Sequence, residues 1–192
     1  MKTPQTDEWL TRFSGEHLFH ELKMFWWLNE NIKLQKDEYM KDALVELFVL
    51  HLRNLIDFFY PRQNAQDSDV IASDFIDIAS GWASPSSITD SLKAARRRAD
   101  KELSHLTADR KDEGDPTKPW EVGALFTEIK GLAKTFAAKA SPKKLDCKVR
   151  ELIDAPSNKV IHVLGAYAHS SNITLDRTNY DSFSTGTWKK GQ

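Results

Sequence analysis

Cysteine is almost absent from this sequence, which contains Cys147 alone among its 192 residues. One thiol can form neither an intramolecular disulfide nor a zinc site built of thiolates, so disulfide-stapled and zinc-finger proteins are excluded. Long apolar runs are missing too. The longest, Met24–Leu28 and Leu47–Leu50, fall far short of the roughly 18 residues that span a bilayer. We therefore expect a soluble, cytoplasmic protein without a membrane segment.

A large net charge of either sign is also lacking. The chain has 27 basic and 28 acidic residues and a formal net charge of −1, which excludes a strongly basic nucleic-acid coat protein. The charge is nevertheless unevenly spread, because residues 1–92 have a net charge of −7 and residues 93–150 a net charge of +6. The basic part could attract a polyanion, or the two parts could simply attract each other.

Apolar residues make up 40% of the chain and recur every three or four positions, which is typical of amphipathic helices. With few strand signals, the pattern predicts an all-α fold, a bundle of four to five helices. The predicted helices run from Ser14 to about Asn31, from Asp37 to Tyr60 before Pro61, from Ser87 or Thr89 to about Thr107, from Trp120 to about Phe136, and from Ser141-Pro142 to about Ile153.

Two stretches do not follow the helical pattern. Residues 62–86 are rich in turn-forming residues, and we predict a long ordered loop with a short helical piece, anchored by Phe75 and Trp82. Residues 169–192 are rich in Ser, Thr, Asn and Gly, and we predict a flexible, loosely ordered C-terminal tail. The expected organisation is one helical domain over residues 1–168 followed by this tail.

The third predicted helix contains the residues best suited to chemistry. Arg98 and His105 are seven residues apart, so two helical turns bring their side chains to nearly the same side. Arginine can hold two phosphoryl oxygens, and histidine can move a proton near neutral pH. A structural interpretation stays open, in which Arg98 pairs with Glu102 at i+4 and His105 is a partly buried, hydrogen-bonded histidine.

The sequence around this pair, Arg98-Ala-Asp-Lys-Glu-Leu-Ser-His-Leu-Thr107, together with Leu52–Tyr60 on the preceding helix, resembles uncharacterised bacterial members of the HEPN superfamily (higher eukaryotes and prokaryotes nucleotide-binding). The resemblance covers roughly residues 15–155 by architecture. It implies a HEPN-like bundle of four or five helices. Many members are metal-independent ribonucleases that act as dimers on one RNA strand, and others are binding or dimerisation modules.

The resemblance implies roles for particular residues. Arg98 and His105 would be catalytic, without metal or cofactor, and the protein would form a homodimer acting on RNA in a toxin–antitoxin or phage-defence setting, with an antitoxin-type protein as a further partner. Nuclease members often have Asn directly after the Arg, where this chain has Ala99 and then Asp100. The alternative is a non-catalytic helical interaction or dimerisation module. The candidate substrate-binding residues are Lys101, Arg97, Glu102 and Asp100.

A polar streak interrupts the apolar second helix. We interpret it as a supporting network that fixes this helix against the third, with the lining of a site as the alternative. The streak consists of His51, Arg53, Asn54 and Asp57.

A second pair, Arg12 and His17, spans the predicted helix start at Ser14 and is set aside for that reason. The tryptophans are predicted to be core and loop anchors, rather than platforms for nucleobases, at Trp9, Trp26, Trp27, Trp82 and Trp120.

Overall fold

The fold was obtained as a computed structural model, which describes residues 4–77, 87–103 and 119–155. Over these residues the chain is an all-α bundle, as predicted, and contains no strand. The helices are α1 (Asp7–Phe13), α2 (Phe19–Leu34), α3 (Glu38–Phe59), α4 (Asp90–Glu102), α5 (Val122–Lys139) and α6 (Cys147–Asp154), with a π-helical turn at Ser14–Leu18 and a 3-10 turn at Ala72–Phe75. Within this part of the chain, no helix is long and apolar enough to cross a membrane.

The first helix begins earlier than predicted. Thr6 caps it by accepting a hydrogen bond from the Trp9 N–H at 3.2 Å, and α1 continues through the π-helical turn into α2. The predicted start at Ser14 is therefore wrong. Ser14 is fully buried instead, where its hydroxyl donates to the Thr11 carbonyl and accepts from the Asp146 N–H at 2.9 Å. This serine joins the first helix to the start of α6.

Helix α3 is the central element and begins as predicted. The Asp37 carboxylate accepts from the Met40 N–H at 2.8 Å, and the helix ends at Phe59, two residues before Pro61. Its buried face packs against α2, α4 and α5, where the rings of Phe25 and Phe48 stack 4.5 Å apart. These contacts bury one side of α3, while Leu47 and Leu50 on the same helix remain exposed.

The turn-rich segment after α3 is anchored by Phe75, as predicted. Phe75 is fully buried, and its ring meets the ring of Phe136 edge-on at 5.8 Å. Its carbonyl also accepts from the Ser141 N–H at 2.8 Å. The second predicted anchor, Trp82, lies outside the described residues, as do the predicted domain boundary at 168 and the C-terminal tail at 169–192.

Of the later helices, α4 starts where the sequence predicts and α6 does not. Thr89 caps α4, as expected, by accepting from the Leu92 N–H at 3.2 Å. Ser141-Pro142 does not open the last helix, however, because residues 141–145 form turns and Asp146 caps α6 by accepting from the Lys148 N–H. Position 104 onward, where α4 was predicted to continue to Thr107, lies outside the described residues.

Candidate functional site

Arg98 lies near the C-terminal end of α4, where its side chain is only 18% exposed. Its Nε lies 2.5 Å from Oε1 of Glu102, the i+4 pair anticipated in the structural interpretation. The guanidinium stacks over the Trp120 ring at 4.0 Å from the ring centre, and Nη1 lies 3.5 Å from the Pro119 carbonyl oxygen. The aromatic face and the carboxylate together hold this cation in one place.

Of the other predicted site residues on this helix, His105 lies outside the described residues. Arg97 is exposed on α4, and Lys101 is half-buried.

Arg98 lines a groove of about 770 Å³ between the α2–α3 corner, the end of α4 and the start of α5. Five carboxylates and three cations line it, so the groove has an excess of negative charge. The carboxylates are Glu38, Asp42, Glu46, Glu102 and Glu121, and the cations are Lys33, Lys41 and Arg98. Such a lining disfavours an incoming phosphate.

Asp100, two residues further along α4, faces α3 instead of this groove. Arg62 donates two hydrogen bonds to its carboxylate, at 2.8 and 3.0 Å, and Arg53 Nε lies 2.8 Å from Oδ1. Burial raises the pKa of Asp100. The hydrogen bonds and positive charge of Arg62, together with the positive charge of Arg53, lower the pKa by more than burial raises it. The pKa of Asp100 therefore lies below its ordinary value.

Asp57 connects the same elements from α3. Arg62 Nε donates to Oδ1 of Asp57 at 3.1 Å and to Oδ2 at 3.2 Å, and Arg96 Nη1 donates to Oδ1 at 3.3 Å and to the Tyr60 carbonyl at 2.9 Å. The two hydrogen-bonded carboxylates raise the pKa of Arg62, so this guanidinium keeps its charge. Arg53, Asp57 and Arg62 line a second groove of about 550 Å³.

His51 and Asn54 belong to a separate cluster that joins α3 to α2. The buried His51 places Nδ1 2.8 Å from Oε2 of Glu21, and Asn54 Nδ2 donates to the same oxygen at 3.2 Å. Burial opposes ionisation of Glu21. The hydrogen bond and charge of His51, the hydrogen bond of Asn54 and the charge of His20 outweigh that effect and lower the pKa of Glu21. The predicted polar streak thus contributes to two clusters.

Three residues of these clusters were missed by sequence reasoning. Arg62 lies in the turn-rich segment, Glu21 on the first long helix, and Trp120 was interpreted only as a core anchor. None has a spacing signal, because Arg62 is 38 residues from Asp100 and Glu21 is 30 from His51. Ion pairing between the acidic and basic parts of the chain was the one applicable hint, and Arg96–Asp57 is such a pair.

Arg12 and His17, set aside for a predicted helix break, lie in one continuous helical segment, so that reason is wrong. Arg12 Nε pairs with Oε1 of the exposed Glu16 at 3.2 Å. The His17 ring lies 5.0 Å from the Phe13 ring, which stacks on Trp9. Trp9 is 40% exposed, so it is not a core anchor as predicted, whereas Trp26 is buried.

Within residues 4–77, 87–103 and 119–155, no three His, Cys, Asp or Glu side chains are grouped so as to hold a metal ion. Comparison with known proteins finds no matching family model, no similar curated protein and no similar solved structure. Membership of the HEPN superfamily accordingly stays a prediction.

Proposed function

We propose that the protein is a non-catalytic helical interaction module. The observation that supports this most is the environment of Arg98, whose guanidinium is paired with Glu102 and stacked on Trp120 in a groove with excess negative charge. A phosphate would have to displace Glu102 and approach further carboxylates to reach it. Asp100 supports the same proposal, since it pairs with Arg53 of α3 and with Arg62 in the segment that follows α3.

An exposed apolar surface on α3 is the second support. We call it the α3 face and define it by Met40, Ala43, Leu47 and Leu50, which follow one another at intervals of three and four residues. Met40 is 50% exposed, and Leu47 and Leu50 are each 43% exposed. A contiguous apolar patch on a helix is typical of a surface that contacts another protein.

The second candidate function is metal-independent RNA cleavage by a HEPN-like homodimer, in a toxin–antitoxin or phage-defence role. It is favoured by the position of Arg98 on a groove, near the C-terminal end of α4. The RNA 2′-hydroxyl would attack the adjacent phosphorus, leaving a 2′,3′-cyclic phosphate and a 5′-hydroxyl. His105 would move the proton, and Arg98 would stabilise the developing negative charge.

One experiment separates the two candidates. Purified protein is incubated with a mixed RNA pool in EDTA, beside folded Arg98→Ala and His105→Ala variants, with Lys93→Ala, at an exposed cation of the same helix, as the control. We expect intact RNA in every sample. Cleavage leaving cyclic phosphate ends, lost in the Arg98 and His105 variants and kept in the Lys93 variant, would overturn the non-catalytic proposal. Sedimentation of the same preparations tests the homodimer.

A further inference from the structure

The α3 face differs from the rest of its helix. Most large apolar side chains of α3 are buried in the core, among them Phe48, Leu52 and Ile56, whereas Leu47 and Leu50 remain 43% exposed. The intervals of three and four residues match the spacing by which one helix packs along another. The face is therefore shaped for a helical partner that lies along α3.

One border of the α3 face is acidic. Asp42 and Glu46 are exposed, lie on the same helix and line the groove that contains Arg98. Neither forms an ion pair with another residue among the described parts of the chain. Glu121 adds a third carboxylate from the start of α5, and the apolar side chains of Val45 and Val122 also line the groove. The α3 face and the groove thus adjoin as an apolar strip with an acidic edge.

We propose that this surface docks a basic amphipathic helix of another protein. The inference rests on the proposed interaction role and adds the chemistry of the partner. Leucine-like side chains of the partner would cover the α3 face, and its lysine or arginine side chains would reach Asp42, Glu46 and the groove.

Charge complementarity favours this occupant over two others. A second copy packed antiparallel about a two-fold axis would place the same border of each α3 together, and so bring Asp42 and Glu46 of both copies near each other. RNA would meet the carboxylates of the groove. A basic helix meets neither obstacle.

The test uses the full chain and two labelled synthetic peptides with the same leucine heptad pattern, one with lysine and one with glutamate at the positions that flank the leucine stripe. We expect the lysine peptide to bind at least about tenfold more tightly by fluorescence anisotropy, and its binding to weaken as salt is raised. Equal affinity for the two peptides, or binding of neither, would overturn the proposal.

Variants locate the binding. Leu47→Ser combined with Leu50→Ser replaces two of the four residues of the α3 face, and Glu46→Lys reverses the charge of one carboxylate at its border. Each should weaken binding of the lysine peptide about tenfold or more, while Trp9→Ser, a change at an exposed aromatic residue of α1, leaves it unchanged. Unchanged binding in all variants would show that the peptide binds elsewhere and would overturn the proposal. Self-association of the wild-type protein that the double serine variant abolishes would also overturn it, because a second copy would then cover the α3 face. RNA cleavage in the assay described above would contradict the non-catalytic role. The peptide measurements test only the partner of the α3 face, so the two failures can be told apart.

Discussion

Both carboxylate oxygens of Asp100 accept hydrogen bonds from the guanidinium of Arg62, Oδ2 from Nη1 at 2.8 Å and Oδ1 from Nη2 at 3.0 Å. Asp100 belongs to α4 and Arg62 to the segment that follows α3. The two parallel hydrogen bonds therefore link the end of α3 to α4. Asp100, the second residue after Arg98, therefore has a structural partner. The Asp100 carboxylate thus holds α4 against α3 and the segment that follows it.

Replacing Asp100 with asparagine should lower the free energy of unfolding by about 1–3 kcal/mol at pH 7, because two partly buried arginines lose their charged acceptor. Urea denaturation measures this. Asp42→Asn, at an exposed position of α3, is the matched control and should change stability by less than about 0.5 kcal/mol. Equal effects of the two changes would contradict the role of Asp100.

The pH dependence of stability follows from the lowered pKa of Asp100. A carboxyl whose pKa is lower in the folded than in the unfolded state stabilises the fold above its ordinary pKa of about 4, and this stabilisation is lost as the pH falls through the folded-state value. Wild-type protein should thus lose stability between pH 6 and pH 3 more steeply than Asp100→Asn. Parallel curves from urea midpoints at each pH would contradict this expectation.

The Glu21–His51 contact should show strong energetic coupling. Its 2.8 Å distance joins a buried imidazole to a carboxylate on the neighbouring helix. A double-mutant cycle with Glu21→Gln and His51→Ala should give a coupling energy of about 1–2 kcal/mol. The exposed Arg12–Glu16 pair, treated in the same way, should give roughly 0.3–0.5 kcal/mol or less. A coupling no larger at Glu21–His51 than at the control pair would show that the buried contact contributes little.

Gly15 allows the π-helical turn to approach the start of α6. A Cβ added at Gly15 would lie 2.5 Å from Oδ2 and 2.9 Å from Cγ of Asp146, the residue that caps α6. Gly15→Ala should therefore displace the capping carboxylate and destabilise the protein by about 1 kcal/mol or more. Gly131→Ala, where nothing lies within 4 Å of the added Cβ, should be neutral or stabilising because it favours the helix. Thermal melting of both variants checks the contrast.

Local signals in the sequence predicted much of the fold. Asp37 and Thr89 were identifiable as caps because a capping side chain bonds to a backbone N–H three residues away. Serine is a common capping residue, but Ser14 instead accepts a hydrogen bond from Asp146, which is 132 residues away. The sequence around Ser14 gives no sign of that contact. The error at the first helix start came from a long-range partner.

In the candidate site, too, local contacts could be predicted from the sequence and long-range contacts could not. Arg98–Glu102 is an i,i+4 pair and could be predicted from helical spacing. Trp120 approaches Arg98 from the start of the α5 segment, and Arg62 approaches Asp100 from a turn, so both contacts depend on how the helices pack. Sequence spacing therefore identified Arg98 as a candidate residue, while tertiary packing determined what surrounds it.

Substitution of Arg98 tests its role through stability. If Arg98 ties α4 to Trp120, Arg98→Met should reduce the free energy of unfolding by about 1–2 kcal/mol, since it removes the stacked cation and leaves the half-buried Glu102 without this partner. Functional residues often behave oppositely, because replacing a strained or charged site residue tends to stabilise a protein. Arg97→Met, on the exposed side of the same turn, is the control. Urea denaturation of both variants measures the free energy of unfolding. An Arg98→Met protein at least as stable as wild type would favour a role of Arg98 in a functional site over a role in packing.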